Sequence, residues 1–295
     1  MNTKLLTFPV PHLRAAPLVA ALTLALAAPA AAHHVEKRFP VTVRPMISVR
    51  NDHGTVTVKS WQKSEVQIIA NYTSNRVEVD ADQAGNRIDV ITHRLAENVP
   101  AAELRVEYEI TVPEDSELQI RTDSGNVNVE RVFGDMTFDT VTADLELREV
   151  SGYLVIKTIG GSLLCDKCAG PRLEITTLSG YVRLLQPVSS NVRVRTTTGD
   201  IFFNGDFLRG GSYLLKTGSG QIEVQFSDTD SFELVANTLY GKLDKDPSLN
   251  LQPPAHSRTS AAPKGVQSFA GKSNEGLARV ELSSFNGTIR LRKRP

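Results

Sequence analysis

Cysteine is almost missing from this sequence: of 295 residues only Cys165 and Cys168 carry a thiol. A zinc centre needs two further ligands, and none is spaced nearby, so no metal site is expected. A thioredoxin-type centre wants its first cysteine at a helix start, whereas Cys165 stands at the end of a strand pattern. An excess of either charge is missing too. The 33 basic and 33 acidic residues balance, which argues against a general nucleic-acid binder. Beyond residue 32 there is no apolar run of the ~20 residues a membrane-spanning helix requires. Helix-period patterns are equally absent there, which leaves an all-β chain.

The first 32 residues have a different character. Lys4 and Arg14 precede an apolar run from Ala15 to Ala28, and Ala30, Ala31 and Ala32 form a small-residue cleavage site. This is the pattern of a secretory leader, too short to span a membrane. No cysteine stands at the cleavage site to carry a lipid, and no twin arginine precedes the run. Export to the periplasm, the cell surface or the medium is therefore expected, with no transmembrane segment in the mature chain. Loss of Lys4 and Arg14 leaves 31 basic against 33 acidic residues.

What fills the mature chain is one recurring phrase. Its first full copy runs from Leu118 to Val129, and seven more follow. Aligned on the turn, the anchors are Gly125, Ala143, Gly161, Gly180, Gly199, Gly220, Gly241 and Gly287, spaced by 18, 18, 19, 19, 21, 21 and 46 residues. A period near 20 residues is the signature of stacked short-strand coils. Before each anchor two apolar residues alternate with polar ones, as in Leu118 and Ile120, Leu154 and Ile156, or Val280 and Leu282. The alternation resumes after the anchor, giving two short strands per coil, each with one wet face. The expected fold is an all-β solenoid or β-helix-like roll of repeats of about 18–21 residues, with an irregular amino-terminal β cap.

Two columns govern the turn. Three residues before the anchors stand Thr122, Thr140, Thr158, Thr177, Thr196, Thr217, Thr238 and Ser284. They share the parity of the buried positions, so they read as a hydroxyl ladder bonded to one another or to turn backbone. Glycine at the anchor supplies a positive φ. Ala143 lacks that freedom, and its coil is expected to turn differently or under strain.

The flanks depart from the repeat. Phe39 to Val58 forms a degenerate copy turning at Gly54, and strand patterns over 66–72, 77–80, 87–92 and 104–112 complete a cap over 33–113, which protects the open end of a strand stack. The solenoid then occupies 114–295. A stretch at about 244–275, with Pro247, Pro253, Pro254 and Pro263, interrupts it as a loop or arm. The Gly287 copy reads as the last coil, and Arg290, Arg292, Lys293 and Arg294 as a solvated basic end.

Tyr108–Pro113, Leu118–Val129, the serial Thr-x-x-Gly coils and the closing Ala278–Leu291 together resemble the bacterial β-strand-repeat family labelled as adhesins, a domain of unknown function. Ser48–Trp61 resembles that family's opening strand pair. The resemblance implies a β-solenoid fold, a place in the cell envelope and no catalytic residues.

The search for chemistry yields little. Cys165 and Cys168 occupy interior columns, and in an oxidising compartment a local disulfide across the coil corner is the expected pairing. His53, His93 and His256 read as exposed residues of turn, strand and arm. A lyase or hydrolase needs two carboxylates over a groove, but Asp144 and Asp200, both just after an anchor, have Ser162 and Tyr181 between them. One outward patch stands out. Leu164, Tyr181 and Phe202, with Arg183 among them, replace the polar residues of other coils and fall on successive coils ~4.8 Å apart. Aromatic rings beside arginine suit a sugar or a partner strand, and the competing expectation is that the arm from Asp244 to Ser273 or the terminal cap covers them. The expectation is thus a non-catalytic envelope adhesin or recognition scaffold, without cofactor, whose partner is an envelope protein or glycan. The competing readings are a carbohydrate-active β-helix enzyme and a periplasmic stress or regulatory component.

Overall fold

The computed structural model describes residues 32–249, 251–252 and 266–294. The leader expected over 1–32, apart from Ala32, lies outside these residues, as do His256 and the middle of the interruption. The amino-terminal strands are β1 (His33–Pro40), β2 (Met46–Trp61), β3 (Glu65–Tyr72), β4 (Val77–Ala84), β5 (Arg87–Arg94) and, after a 3-10 turn, β6 (Glu107–Pro113). Two long strands follow, β7 (Glu117–Glu130) and β8 (Met136–Arg148). Thereafter each coil splits in two: β9 (Ser151–Thr158) with β10 (Leu163–Asp166), and β11 (Ala169–Thr177) with β12 (Tyr181–Leu185). After the short β13 (Val188–Ser189) come β14 (Asn191–Thr196) with β15 (Asp200–Asn204), β16 (Ser212–Ser219) with β17 (Ile222–Phe226), and β18 (Phe232–Thr238) with β19 (Leu243–Lys245). β20 (Gln267–Ser273), β21 (Ala278–Asn286) and β22 (Ile289–Lys293) close the chain.

The coils lie in register, so like residues face like. β2 pairs in parallel with β7 along nearly its whole length, Gly54 opposite Gly125, which makes it the first rung of the stack. From β7 one parallel ladder climbs through β8, β9, β11, β14 and β16. The other climbs through β8, β10, β12, β15 and β17. Between them the columns Leu118–Met136–Leu154–Leu173–Val192–Tyr213 and Ile120–Phe138–Ile156–Ile175–Val194–Leu215 are buried. Each such side chain contributes about 1.5–3 kcal/mol of burial. Rungs 21 residues long accommodate extra loops, one of which inserts Phe207 between Phe203, Tyr213 and Phe232.

The threonine column is continuous from Asn51 through Thr122, Thr140, Thr158, Thr177, Thr196 and Thr217. Its hydroxyls bond to turn backbone rather than to each other. Thr158 donates to Gly160 O at 2.6 Å and Thr177 to Ser179 O at 2.5 Å, while Thr217 reaches across a rung to Gly199 O at 2.9 Å. Thr140 and Ser284 make no hydroxyl bond among the described residues.

Glycine at the anchors answers two different needs. Gly180 has φ +111°, and a Cβ there would also lie 2.0 Å from Gly161 O. Gly287 is outside the left-handed region, yet a Cβ would meet Gly220 O at 1.8 Å. Close stacking of corner backbones is thus the general requirement, and positive φ an additional one. The expected strain at Ala143 is not found. β8 runs straight through that corner as a single strand, Ala143 is outside the left-handed region and buried opposite Gly125, and no distortion is needed. At the opposite corner Arg131, Glu149, Lys167 and Gln186 hold φ between 46° and 55° on four successive coils.

The carboxyl-terminal end corrects the expected order. The Gly287 coil is not last: β21 pairs with β16 on one side and β18 on the other, and β22 lies between β17 and β19. Packing explains the inversion. β21 and β22 bury Val280, Leu282, Ile289 and Leu291, whereas in the same columns β18 buries Leu234 and the small Ala236, and β19 offers a partly exposed Leu243 and an exposed Lys245. The better-filled coil is inside and the weaker one at the edge. β20 then covers β18 antiparallel, and Leu249 is buried, so the described part of the expected arm is structural. The basic end is not a solvated cap either: Arg292 pairs with Asp244, Lys293 with Asp228 and Arg294 with Asp206. At the other end β5 and β6 dock in parallel on the two halves of β2, and β4, β3 and β1 extend them antiparallel.

Candidate recognition surface

The outward residues of β10, β12 and β15 alternate with the buried column Leu163–Val182–Ile201, so their placement follows from strand parity. Register puts Leu164 opposite Arg183 and Arg183 opposite Phe202. Tyr181 stands two residues before Arg183 on the same face and is 40% exposed. Leu185, two residues after it, also belongs to this face and is half-buried. Sequence reading passed over Leu185, although the same parity rule that selected Tyr181 applies to it.

Arg183 therefore has apolar or aromatic neighbours on all four sides. Its guanidinium lies 5.4 Å from the Phe202 ring centroid, within cation–π range, and makes no ion pair among the described residues. Leu164, Tyr181 and Arg183 line one open groove of about 350 Å³, together with Asn126, Asn128, Asp144, Glu146 and Ser162. Phe202 is not part of its lining and backs Arg183 from the next rung. Burial, the largest influence, raises the Tyr181 phenol above its ordinary pKa, so it is protonated at neutral pH.

The carboxylates nearby are engaged. Asp144 accepts the Ser162 N–H at 2.6 Å, and Asp200 accepts the Gln221 N–H at 2.7 Å. Glu146 is bonded to Arg148 on its own strand, and Glu223 accepts from Gln221 and Gln225 at 3.1 and 2.9 Å. Asp144 and Asp200 thus tie one rung's turn to the next, and of the two acids lining the groove Asp144 is held by the Ser162 N–H and Glu146 by Arg148.

Cys165 and Cys168 are joined by a disulfide across the opposite corner, with Cα atoms 5.8 Å apart. Both are buried, and Cys165 fills the column of Leu147 and Leu184. Among the described residues no group of three His, Cys, Asp or Glu side chains could hold a metal ion. His53 is half-buried against the Ser124 hydroxyl rather than exposed, and His93 lies 3.3 Å from Asp80. One apolar feature went unnoticed in the sequence. Val141, Ile159 and Leu178 are exposed on three successive coils, each two residues before the anchor, Ala143, Gly161 or Gly180.

Parallel ladders, a glycine corner and a buried hydroxyl column define the class: an all-β, solenoid-like roll. Within that class the chain belongs to the Toastrack DUF4097 family, whose model matches residues 46–292. Among solved structures, a "putative adhesin" of Bacteroides fragilis shares 10% identity over 88% of this chain and 97% of its own, with a TM-score of 0.51. A "putative lipid binding protein" of Parabacteroides distasonis shares 10% identity over 89% and 97%, with a TM-score of 0.43. Likeness at this level concerns the fold alone. No curated protein matches the chain. None of the helices among the described residues is long and apolar enough to cross a membrane.

Proposed function

We propose that the protein is an exported, non-catalytic, adhesin-like recognition scaffold of the cell envelope, binding through the outward face of β10, β12 and β15. One observation carries this reading: a cluster of aromatic and aliphatic side chains around an arginine, held at fixed spacing on a hydrogen-bonded sheet. A surface pre-ordered in this way loses little side-chain freedom on binding. The reading without catalysis is favoured by the commitment of Asp144 and Asp200 to turn backbone, since a glycan-cleaving site needs one carboxyl to move a proton and another to face it.

Paired substitution tests it. Tyr181→Ser with Phe202→Ser is expected to leave thermal unfolding within a few degrees of the parent while abolishing retention on immobilised envelope glycans and proteins. Unchanged retention, or turnover in a screen of polysaccharide substrates, would remove the proposal.

A further inference from the structure

Resting on that reading, we infer that the ligand of this surface is an acidic saccharide: its sugar ring lies on Tyr181 and Leu164, and its anionic substituent is held by Arg183. The guanidinium is the starting point. Among the described residues Arg50, Arg193, Arg195, Arg209 and Arg279 also make no ion pair, whereas Arg148 is bonded to Glu146, Arg172 to Glu174 and Arg292 to Asp244; what sets Arg183 apart is its place in the groove beside the Phe202 ring. Arg183 has Leu164, Phe202, Tyr181 and Leu185 around it, and the carboxylates of Asp144, Glu146, Asp200 and Glu223 on the neighbouring coils are taken by backbone N–H groups, Arg148 or glutamine amides. A guanidinium surrounded by apolar side chains, without a carboxylate of its own, is suited to a planar anion arriving from outside.

The rest of the groove indicates what carries the anion. Tyr181 and Leu164 present an apolar surface of the kind on which the C–H face of a pyranose ring rests. Asn126, Asn128 and Ser162 line the same concavity and offer amide and hydroxyl groups, beside Asp144 and Glu146, whose carboxyls are engaged by the Ser162 N–H and by Arg148. Its volume of about 350 Å³ is in the range of small-ligand clefts. A peptide strand is disfavoured because β12 is paired in parallel on both sides and has no free edge to extend.

Three probes decide the matter: oligogalacturonate, its methyl ester with the same backbone and no charge, and a neutral isomaltose oligomer, each titrated calorimetrically into the full mature chain. Oligogalacturonate is expected to bind, with affinity falling as salt rises, and the ester to bind roughly tenfold or more weakly. Arg183→Met should reduce the acid to the ester's affinity without shifting thermal unfolding. Equal binding of acid and ester, unaltered by Arg183→Met, would overturn the assignment of the anion to Arg183. Absence of binding to oligogalacturonate would overturn the acidic saccharide altogether. In either case, loss of envelope retention in the Tyr181→Ser, Phe202→Ser chain would still support recognition by this face, so the two failures are distinguishable.

Discussion

The middle of the stack and its carboxyl-terminal end follow the same column rules but treat chain order differently. From β7 to β17 each coil lies on the one before it, so neighbours in space are neighbours in sequence. At the end, β21 and β22 enter between coils that precede them, and the coil of β18 and β19 is displaced to the edge. The difference teaches that a ladder of like residues specifies what a rung must be, not which rung comes next. Rung order is settled by how well each coil fills its neighbours. In the displaced coil β18 is covered by β20, while β19 has β22 as its one paired neighbour.

The sharpest way to break this comparison is to crowd the glycine corner at both places. Gly180→Ala places a Cβ 2.0 Å from Gly161 O and also demands a left-handed backbone, in a rung closed on both sides. A loss above ~4 kcal/mol, or failure to fold, is expected in urea titration. Gly241→Ala creates a clash of 1.8 Å with Gly287 O, but in the edge rung and without the conformational penalty. That rung can shift outward, so its loss should be clearly smaller. Equal losses would contradict the picture of a tight middle and a yielding edge.

Truncating core side chains in the terminal segment measures the same contrast more gently. Leu282→Ala empties a fully buried site in the inserted coil, and about 2–5 kcal/mol is expected. Leu243→Ala removes a partly exposed side chain from the edge coil and should cost about 1 kcal/mol. If Leu243 were the costlier of the two, the packing argument for the inverted order would be lost.

The disulfide belongs to the middle region and closes a very short loop. Replacing Cys165 and Cys168 together by serine is expected to lower stability by roughly 2 kcal/mol. Thiol titration of the native protein should find no reactive cysteine, and two rapidly reacting thiols would refute the bridge.

The smallest effect concerns acid. Arg292 bonds to Asp244 and holds its carboxyl below the ordinary carboxylate range. A depressed carboxyl contributes stability above its unfolded pKa and loses it as pH falls through the folded value. The edge coil should therefore loosen before the middle does only once the pH falls below the ordinary aspartate range. Hydrogen exchange should show faster amides in β19 and β22 than in β10 and β12, and uniform acceleration would deny the edge its separate behaviour.

Much of this was legible in the sequence because stacking repeats a residue choice at every rung. The buried columns, the Thr column and the outward positions of Leu164, Tyr181, Arg183 and Phe202 all follow from the 18–21-residue spacing and strand parity. The inverted order was not legible, since Gly241 and Gly287 satisfy the corner equally in either arrangement. Neither was the second corner: Arg131, Glu149, Lys167 and Gln186 share a backbone conformation and no side-chain chemistry. The exposed line of Val141, Ile159 and Leu178 escaped notice because turn columns were read as polar by default. Ala143 misled for a related reason. Glycine was read as a requirement of backbone angle, when the stricter demand is room for the carbonyl of the adjoining rung.

The inserted terminal coil also bears on biogenesis. Residues 278–293 are synthesised after β18 and β19, yet they lie between that coil and β16 and β17, so a chain grown only as far as β19 holds a provisional arrangement there. Emergence of β21 and β22 becomes the event that sets the final form.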